Sequence, residues 1–314
     1  MLDLPGAVPA EGRDDGVALH YGDPLREQRT LTEAVGVVDR SHRGVVSVPG
    51  ADRLSWLHDL TSQHVRGLPD GRGTEALLLS PHGHVEHHML LAELAGSTWL
   101  DVEPGTSAAL VAFLESMRFM LRVDPVDTTS SEALLSLVGP GCPETLVALG
   151  VSVPAPYDVA ALPGGGWVRR MPWPGPDAVD LLVPRARLGE MSAGLAALGV
   201  TPAGTWAFEA LRIAAVRPRL GLDTDHRTIP HEVGWLETAV HLEKGCYRGQ
   251  ETVARVHNLG RPPRRLVLLH LDGSEEVLPR QGEPVTLDGR PVGVVGSSAR
   301  HFELGPIALA LVKR

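Results

Sequence analysis

The feature that most restricts the fold is a pattern that runs through the chain twice. In the first pass, Val45-Val46-Ser47-Val48 reads as a strand and Pro49-Gly50 as a turn. A helix over 51–60 follows, with Leu54, Trp56 and Leu57 on its apolar side. Strands are expected at 74–80, 85–92 and 98–102, then a helix over 106–117. The second pass opens with a strand at 134–138, turns at Gly139-Pro140-Gly141 and continues into a helix over 144–149. Strands at 167–171 and 179–183 and a helix over 185–198 complete it. Each pass runs strand, helix, two or more strands, helix. A doubly wound sheet needs strict strand–helix alternation, so the pattern predicts an α+β fold with two ferredoxin-like lobes.

Beyond the repeat, Phe208, Leu211 and Ala215 fall one helical face apart, which predicts a helix over 205–216 that stops before Pro218. The stretch 217–236, with Pro218, Gly221 and Pro230, reads as irregular, and loops of that length usually carry function. After Pro262-Pro263 short apolar runs meet Asp272-Gly273 and Asp288-Gly289, which are hairpin signals. The tail from about residue 260 is therefore read as a small antiparallel β-barrel or sandwich.

Charge narrows the function classes. With 29 basic and 38 acidic residues the net charge is −9, which argues against a wholesale basic surface for nucleic acid or anionic membrane. Aromatic residues make up 4% of the chain, too few for a base-stacking face, so no direct nucleic-acid contact is expected. Met1-Leu2-Asp3-Leu4-Pro5 lacks the pattern of a secretory signal, and no apolar run is long enough to span a bilayer. Cys142 and Cys246 make no disulfide scaffold, and a cytoplasmic location is expected. Only Lys244 and Lys313 of the 29 basic residues are lysine, the bias of a GC-rich coding sequence. A lysine kept in the interior of such a chain is informative, because arginine does not replace it at a geometrically specific site.

Chemistry is densest in Lys244-Gly245-Cys246-Tyr247-Arg248-Gly249-Gln250-Glu251. Two glycines flanking a cysteine allow close backbone approach and a presented thiol, with Lys244 two residues away to favour the thiolate. The same residues also describe a satisfied buried cysteine in a turn. His241 and His257 lie nearby, but one cysteine and two loosely spaced histidines match no closed zinc pattern, so no resident metal is expected. His82, His84, His87 and His88 surround Glu86. On a regular strand 84, 86 and 88 share one face while 87 points away, which favours a polar strand over a metal site. Asp223-x-Asp225 lacks the other positions of a calcium loop, and Gly164-Gly165-Gly166 is a plain turn.

The motif Lys-Gly-Cys-Tyr-x-Gly-Gln-Glu resembles the hallmark of the YgfZ family of folate-binding proteins, relatives of the glycine-cleavage T-protein. Glu209-Ala210-Leu211-Arg212-Ile213, Gly221-Leu222-Asp223, Pro230 and Glu232 resemble the approach to it, and Val253-Ala254-Arg255 and Gly260-Arg261 its continuation. A weaker likeness spans Gly36-Val37-Val38-Asp39 to Leu60-Thr61, Pro81-His82-Gly83 and Gly293-Val294-Val295-Gly296-Ser297-Ser298. The resemblance implies two interlocked ferredoxin-like lobes around a central folate channel, plus the C-terminal barrel. It divides the chain into a folate-binding GcvT-like module at 1–240 (split near 125), the motif segment at 241–259 and the barrel at 260–314. Trp56, Trp99, Trp173, Trp206 and Trp235 are then core or channel lining.

The functional implication is an accessory role in iron-sulfur cluster assembly or maintenance, supporting enzymes that include tRNA-modifying ones. Tetrahydrofolate is the implied ligand, with iron-sulfur carriers or client proteins as partners. Cys246 inherits the role of functional thiol and transient cluster ligand. The T-protein relation implies an alternative, a tetrahydrofolate-dependent aminomethyl- or methyltransferase, and whether the chain is an enzyme stays open. That chemistry needs a carboxylate beside the reacting folate nitrogen. The T-protein keeps an aspartate in a Leu-Thr-x-x-Asp-Val-like stretch, whereas Leu60-Thr61-Ser62-Gln63-His64-Val65 places His64 there. The T-protein's pterin-binding Thr-Gly-Glu turn corresponds to Pro174-Gly175-Pro176-Asp177, and Pro176 has no side-chain acceptor. Asp177, Asp180, Arg212, His64 and Glu232 are the folate-side residues this resemblance implies.

Overall fold

The computed structural model describes every residue except Pro176, Glu275 and Glu276. A short ribbon, β1 (Val8–Pro9) and β2 (Ala18–His20), leads to helix α1 (Pro24–Glu33). The Asp23 carboxylate accepts from Leu25 N at 3.1 Å and Arg26 N at 3.0 Å, satisfying two free amides of the helix start, and Pro24 sits in its first turn. Strand β3 (Gly36–Asp39) follows.

The first pass of the repeat is β4 (Gly44–Pro49), α2 (Arg53–Leu60), β5 (Arg72–Leu79), β6 (Val85–Leu94), β7 (Ser97–Val102), α3 (Ser107–Ser116) and β8 (Val126–Asp127). Its sheet has the order β5-β6-β7-β4-β8. The second pass is β9 (Glu132–Val138), α4 (Cys142–Ala148), β10 (Val159–Ala161), β11 (Trp167–Arg169), β12 (Ala178–Pro184), α5 (Leu188–Ala197) and β13 (Thr201–Ala203). Its sheet has the order β10-β11-β12-β9-β3-β13. The two orders match strand for strand, except that β3 is inserted between β9 and β13. Each pass sends three strands between its helices, one more than a four-stranded ferredoxin-like unit contains.

Each sheet buries one face under its own helices. Val46, Val48, Leu91 and Leu100 pack on Trp56, Leu57 and Leu110, and Leu135, Leu137 and Leu181 pack on Leu146 and Leu195. The two sheets meet through Val45, Ala92, Leu134, Trp167 and Leu182. An ionic network crosses the same contact: Arg169, fully buried, donates to Asp101 of β7 at 3.0 Å and Asp180 of β12 at 2.7 Å. Buried charges persist only when partnered in this way.

The chain then runs through α6 (Thr205–Ala214), the irregular stretch, α7 (Trp235–Ala239) and α8 (Gln250–Leu259). Helix α6 ends two residues before the expected 216, and Val216 takes a positive φ of 53° ahead of Pro218. The tail is β14 (Arg264–His270), β15 (Pro284–Leu287), β16 (Arg290–His301) and β17 (Gly305–Lys313), an antiparallel sheet of order β14-β17-β16-β15. Among the described residues no hydrogen-bonded ladder joins β14 to β15. Helix α6 buries Ala210 and Ile213 against Ala299, Ile307 and Leu309 of this sheet. Among the described residues no helix is long and apolar enough to cross a membrane.

Candidate functional site

The cysteine motif is a clip with two buried anchors. The Lys244 ammonium donates to Thr61 O at 2.6 Å, Gln63 O at 3.0 Å and His58 O, so its three N–H bonds end on the C-terminal carbonyls of α2 and the loop after it. The Tyr247 ring is buried among Leu77, Leu79, Trp235 and Val253, with the Lys244 ammonium 5.0 Å from its centre. Gln250 Nε2 closes the loop on Lys244 O at 3.3 Å. Gly249 has φ 82°, and a Cβ there would lie 2.6 Å from Ser80 O, so the motif rests directly on the turn before β6. Between the anchors Cys246 is exposed, with Gly245 in open space beside it. Glu251 is exposed in the first turn of α8. Cys142 is the opposite case, buried, with its thiol pushed up to about 12 by burial.

The loop held by Lys244 carries His64. Its exposed ring lies 4.6 Å from the ring of His58 and 5.2 Å from that of His241. Among the described residues no group of three or more His, Cys, Asp or Glu is placed to hold a metal ion. Burial, followed by the Lys244 charge, pushes His58 down to about 4. An unfolded chain therefore takes up this proton first as pH falls, so stability declines from about pH 6.5 toward about 4. Urea titrations across that range should show the decline, and His58→Asn should show less of it. Equal slopes in the two proteins would reject the assignment.

The histidine group around Glu86 departs from regular alternation. Leu79 pairs with Val85 but Leu78 with His87, so Glu86 is bulged out of the ladder. His87 and His88 are both buried, while Glu86 reaches outward to Arg248 of the motif at 2.9 Å. His88 Nε2 lies 3.0 Å from Glu75 Oε2, and its ring stacks on Trp235 at 4.6 Å. Burial opposes ionisation of Glu75, but the His88 and Thr238 hydrogen bonds prevail and hold its carboxyl below the usual range.

Where β5, the connection from β11 to β12, the end of α6 and the start of α7 converge there is a hollow of about 100 Å³. Glu75, Trp173, Arg217, Val233 and Trp235 are among its lining. Trp173 also walls a much smaller polar gap beside Arg40, Arg43 and Arg219. The residues expected on the folate side lie elsewhere, and none of them lines either space. Arg212, fully buried, bonds Asp223 at 2.8 Å and Glu209 at 2.6 Å. Its guanidinium latches α6 to the irregular stretch and to Ser297 of β16, because burial leaves it no solvent or ligand to face. Asp180 is occupied by Arg169, Arg40 and Ser136. Glu232 forms a two-pronged pair with Arg264, at 2.8 Å on each oxygen, joining the irregular stretch to β14. Asp177 is exposed in a turn, and its carbonyl accepts from Gly139 N at 2.8 Å. The expectation about Pro176 falls outside the described residues.

Residues 22–244 match the family model described as the GCVT N-terminal domain, more than two thirds of the chain. Residues 264–314 match the glycine cleavage T-protein C-terminal barrel domain. The chain belongs to the GCVT family. An aminomethyltransferase of Thermosynechococcus vestitus is 29% identical, over 94% of this chain and 81% of its own length. A chloroplastic protein of Arabidopsis thaliana is 27% identical, over 98% and 73%. The crystal structure of the glycine cleavage system aminomethyltransferase T from Bartonella henselae superposes with a TM-score of 0.85. It covers 98% of this chain and 86% of its own at 21% identity, so it speaks for the fold.

Within this GCVT-family chain, Glu75 is a lining residue of the hollow that sequence reasoning missed. Its one signal was an acidic side chain at the head of the apolar run Ala76-Leu77-Leu78-Leu79. Helices α1 and α8 were also missed, although Asp23-Pro24 marks the start of the first and Gly249 and Gly260 bracket the second.

Proposed function

We propose that this chain binds a reduced folate at the hollow beside Glu75 of β5 and acts as a tetrahydrofolate-dependent one-carbon transferase. The observation that carries the reading is the hollow itself, a recess with indole walls and an ionised carboxylate where both halves of the repeat converge. Support comes from relatives named aminomethyltransferase across nearly the whole chain. Bound folate would supply the nitrogen that carries the one-carbon unit. The protein's part is to hold an N–H-bearing ring against the carboxylate and to keep water away from it. At about 100 Å³ the recess is smaller than the ~150 Å³ cavity that holds a benzene ring, so it takes the donor-bearing edge of a bicyclic ring and leaves the rest of a folate outside. Anaerobic calorimetric titration with tetrahydrofolate is expected to give saturable binding below millimolar ligand, followed by measurable one-carbon transfer from an aminomethyl donor. No heat at millimolar ligand would remove the reading.

A second reading is favoured by one observation, the exposure of Cys246 on a rigid clip while His64 stands where the T-protein has its aspartate. In it the chain is a YgfZ-type folate-binding accessory protein for iron-sulfur enzymes, with the thiol contacting a cluster or its carrier. A Cys246→Ala variant should then fail to restore cluster-dependent enzyme activity in a deletion strain yet bind folate normally. Full complementation would refute it.

A further inference from the structure

We propose that Glu75 is the residue that recognises the ring of the ligand, through a hydrogen bond from the amino group of a flat heterocycle to its Oε1 atom. This rests on the folate reading above and specifies its contact. Glu75 is 4% exposed, yet its two hydrogen bonds converge on one oxygen: His88 Nε2 at 3.0 Å and Thr238 Oγ1 at 3.1 Å both reach Oε2. Among the described residues Oε1 accepts no hydrogen bond, and Glu75 lines the hollow. A buried carboxylate held by one oxygen and open at the other is a fixed acceptor for a donor that enters the cavity. Trp235, backed by the stacked His88 ring, supplies an aromatic wall for a planar guest.

The position of Glu75 bears on the loop that carries His64. Thr238, whose hydroxyl binds Glu75, accepts from Gln63 Nε2 through its carbonyl at 3.0 Å. The carboxylate absent at residue 64 has a counterpart at residue 75 of β5, linked to the His64 loop through Thr238 and Gln63. Glutamine at 75 keeps an acceptor for His88 and Thr238 but presents an amide where the open carboxylate oxygen stood, removing its charge.

The test compares 2-amino-4-oxopteridine with its 2,4-dioxo analogue, which lacks the amino donor, by quenching of the cavity tryptophans. Wild type should prefer the amino compound by about tenfold or more, the size of one hydrogen bond to a charged group. E75Q should reduce that preference to within about twofold. E75D, which withdraws the carboxylate by one methylene, should fall between, and it serves if E75Q does not fold. An equal preference in wild type and E75Q, or none in wild type, overturns the proposal. Tetrahydrofolate binding is measured alongside. If it binds while the preference survives E75Q, the Glu75 assignment fails and the folate reading stands. If it does not bind while the preference is present and lost in E75Q, the reverse holds.

Discussion

Replacing Arg212 by alanine is expected to cost about 3–5 kcal/mol of folding stability, the range for removing one partner of a buried ion pair. The guanidinium is fully buried and uses Nη1 for Asp223 Oδ2 at 2.8 Å and Arg217 O at 2.9 Å. Its Nε and Nη2 both reach Glu209 Oε2, at 2.8 Å and 2.6 Å, and Nη2 also meets Ser297. Alanine leaves Asp223, equally buried, with only the amides of Arg219 at 2.9 Å and Ser297 at 2.7 Å among the described residues. Gly296 already packs directly on Asp223, where an added Cβ would lie 2.4 Å from Oδ1. Arg212→Lys retains charge but not the fork, and should recover only part of the loss. Urea denaturation reads the effect as a lower midpoint with an unchanged slope. A cost under about 1 kcal/mol would show that the latch between α6 and the C-terminal sheet is not stabilising.

Lys244→Met should cost about 3 kcal/mol, counting about 1 kcal/mol for each of three carbonyls left without a donor. Those carbonyls, of His58, Thr61 and Gln63, end α2 and begin the loop of His64, so the substitution loosens that loop and the cysteine clip together. Lys244→Arg should not rescue it. A planar guanidinium cannot direct three bonds from a single atom to three converging oxygens. A second readout separates this from general destabilisation: modification of Cys246 by a thiol reagent should become faster under native conditions in both variants. Wild-type stability and an unchanged modification rate in Lys244→Arg would reject the anchor role.

Both effects concern residues whose importance was visible in the sequence and whose role was not. Lys244 stood out because the chain otherwise uses arginine almost throughout. Its acceptors lie more than 180 residues upstream, where no local pattern could name them. Arg212 falls on a helix whose apolar spacing was plain, and its place in the motif pointed toward a ligand. The fold turned it inward instead, because Asp223 and Ser297 converge on it from the irregular stretch and from β16. Alternation failed at Glu86 for a local reason: one extra residue in β6 shifted the ladder and buried two successive histidines.

Local patterns in the chain set the doubled strand–helix order, the helix after it, the antiparallel tail and the segment in which the exposed thiol sits. Those follow from periodicity, turn residues and a contiguous motif, all of which act over a few residues. Tertiary structure alone decided that β3 enters the second sheet between β9 and β13, and that two sheets share one ionic network. It also decided that the open carboxylate of the hollow is Glu75. Periodicity assigns a side chain to a face, whereas its partner is set by whichever distant segment packs there. A buried charge is bound to its partner by the cost of leaving it alone.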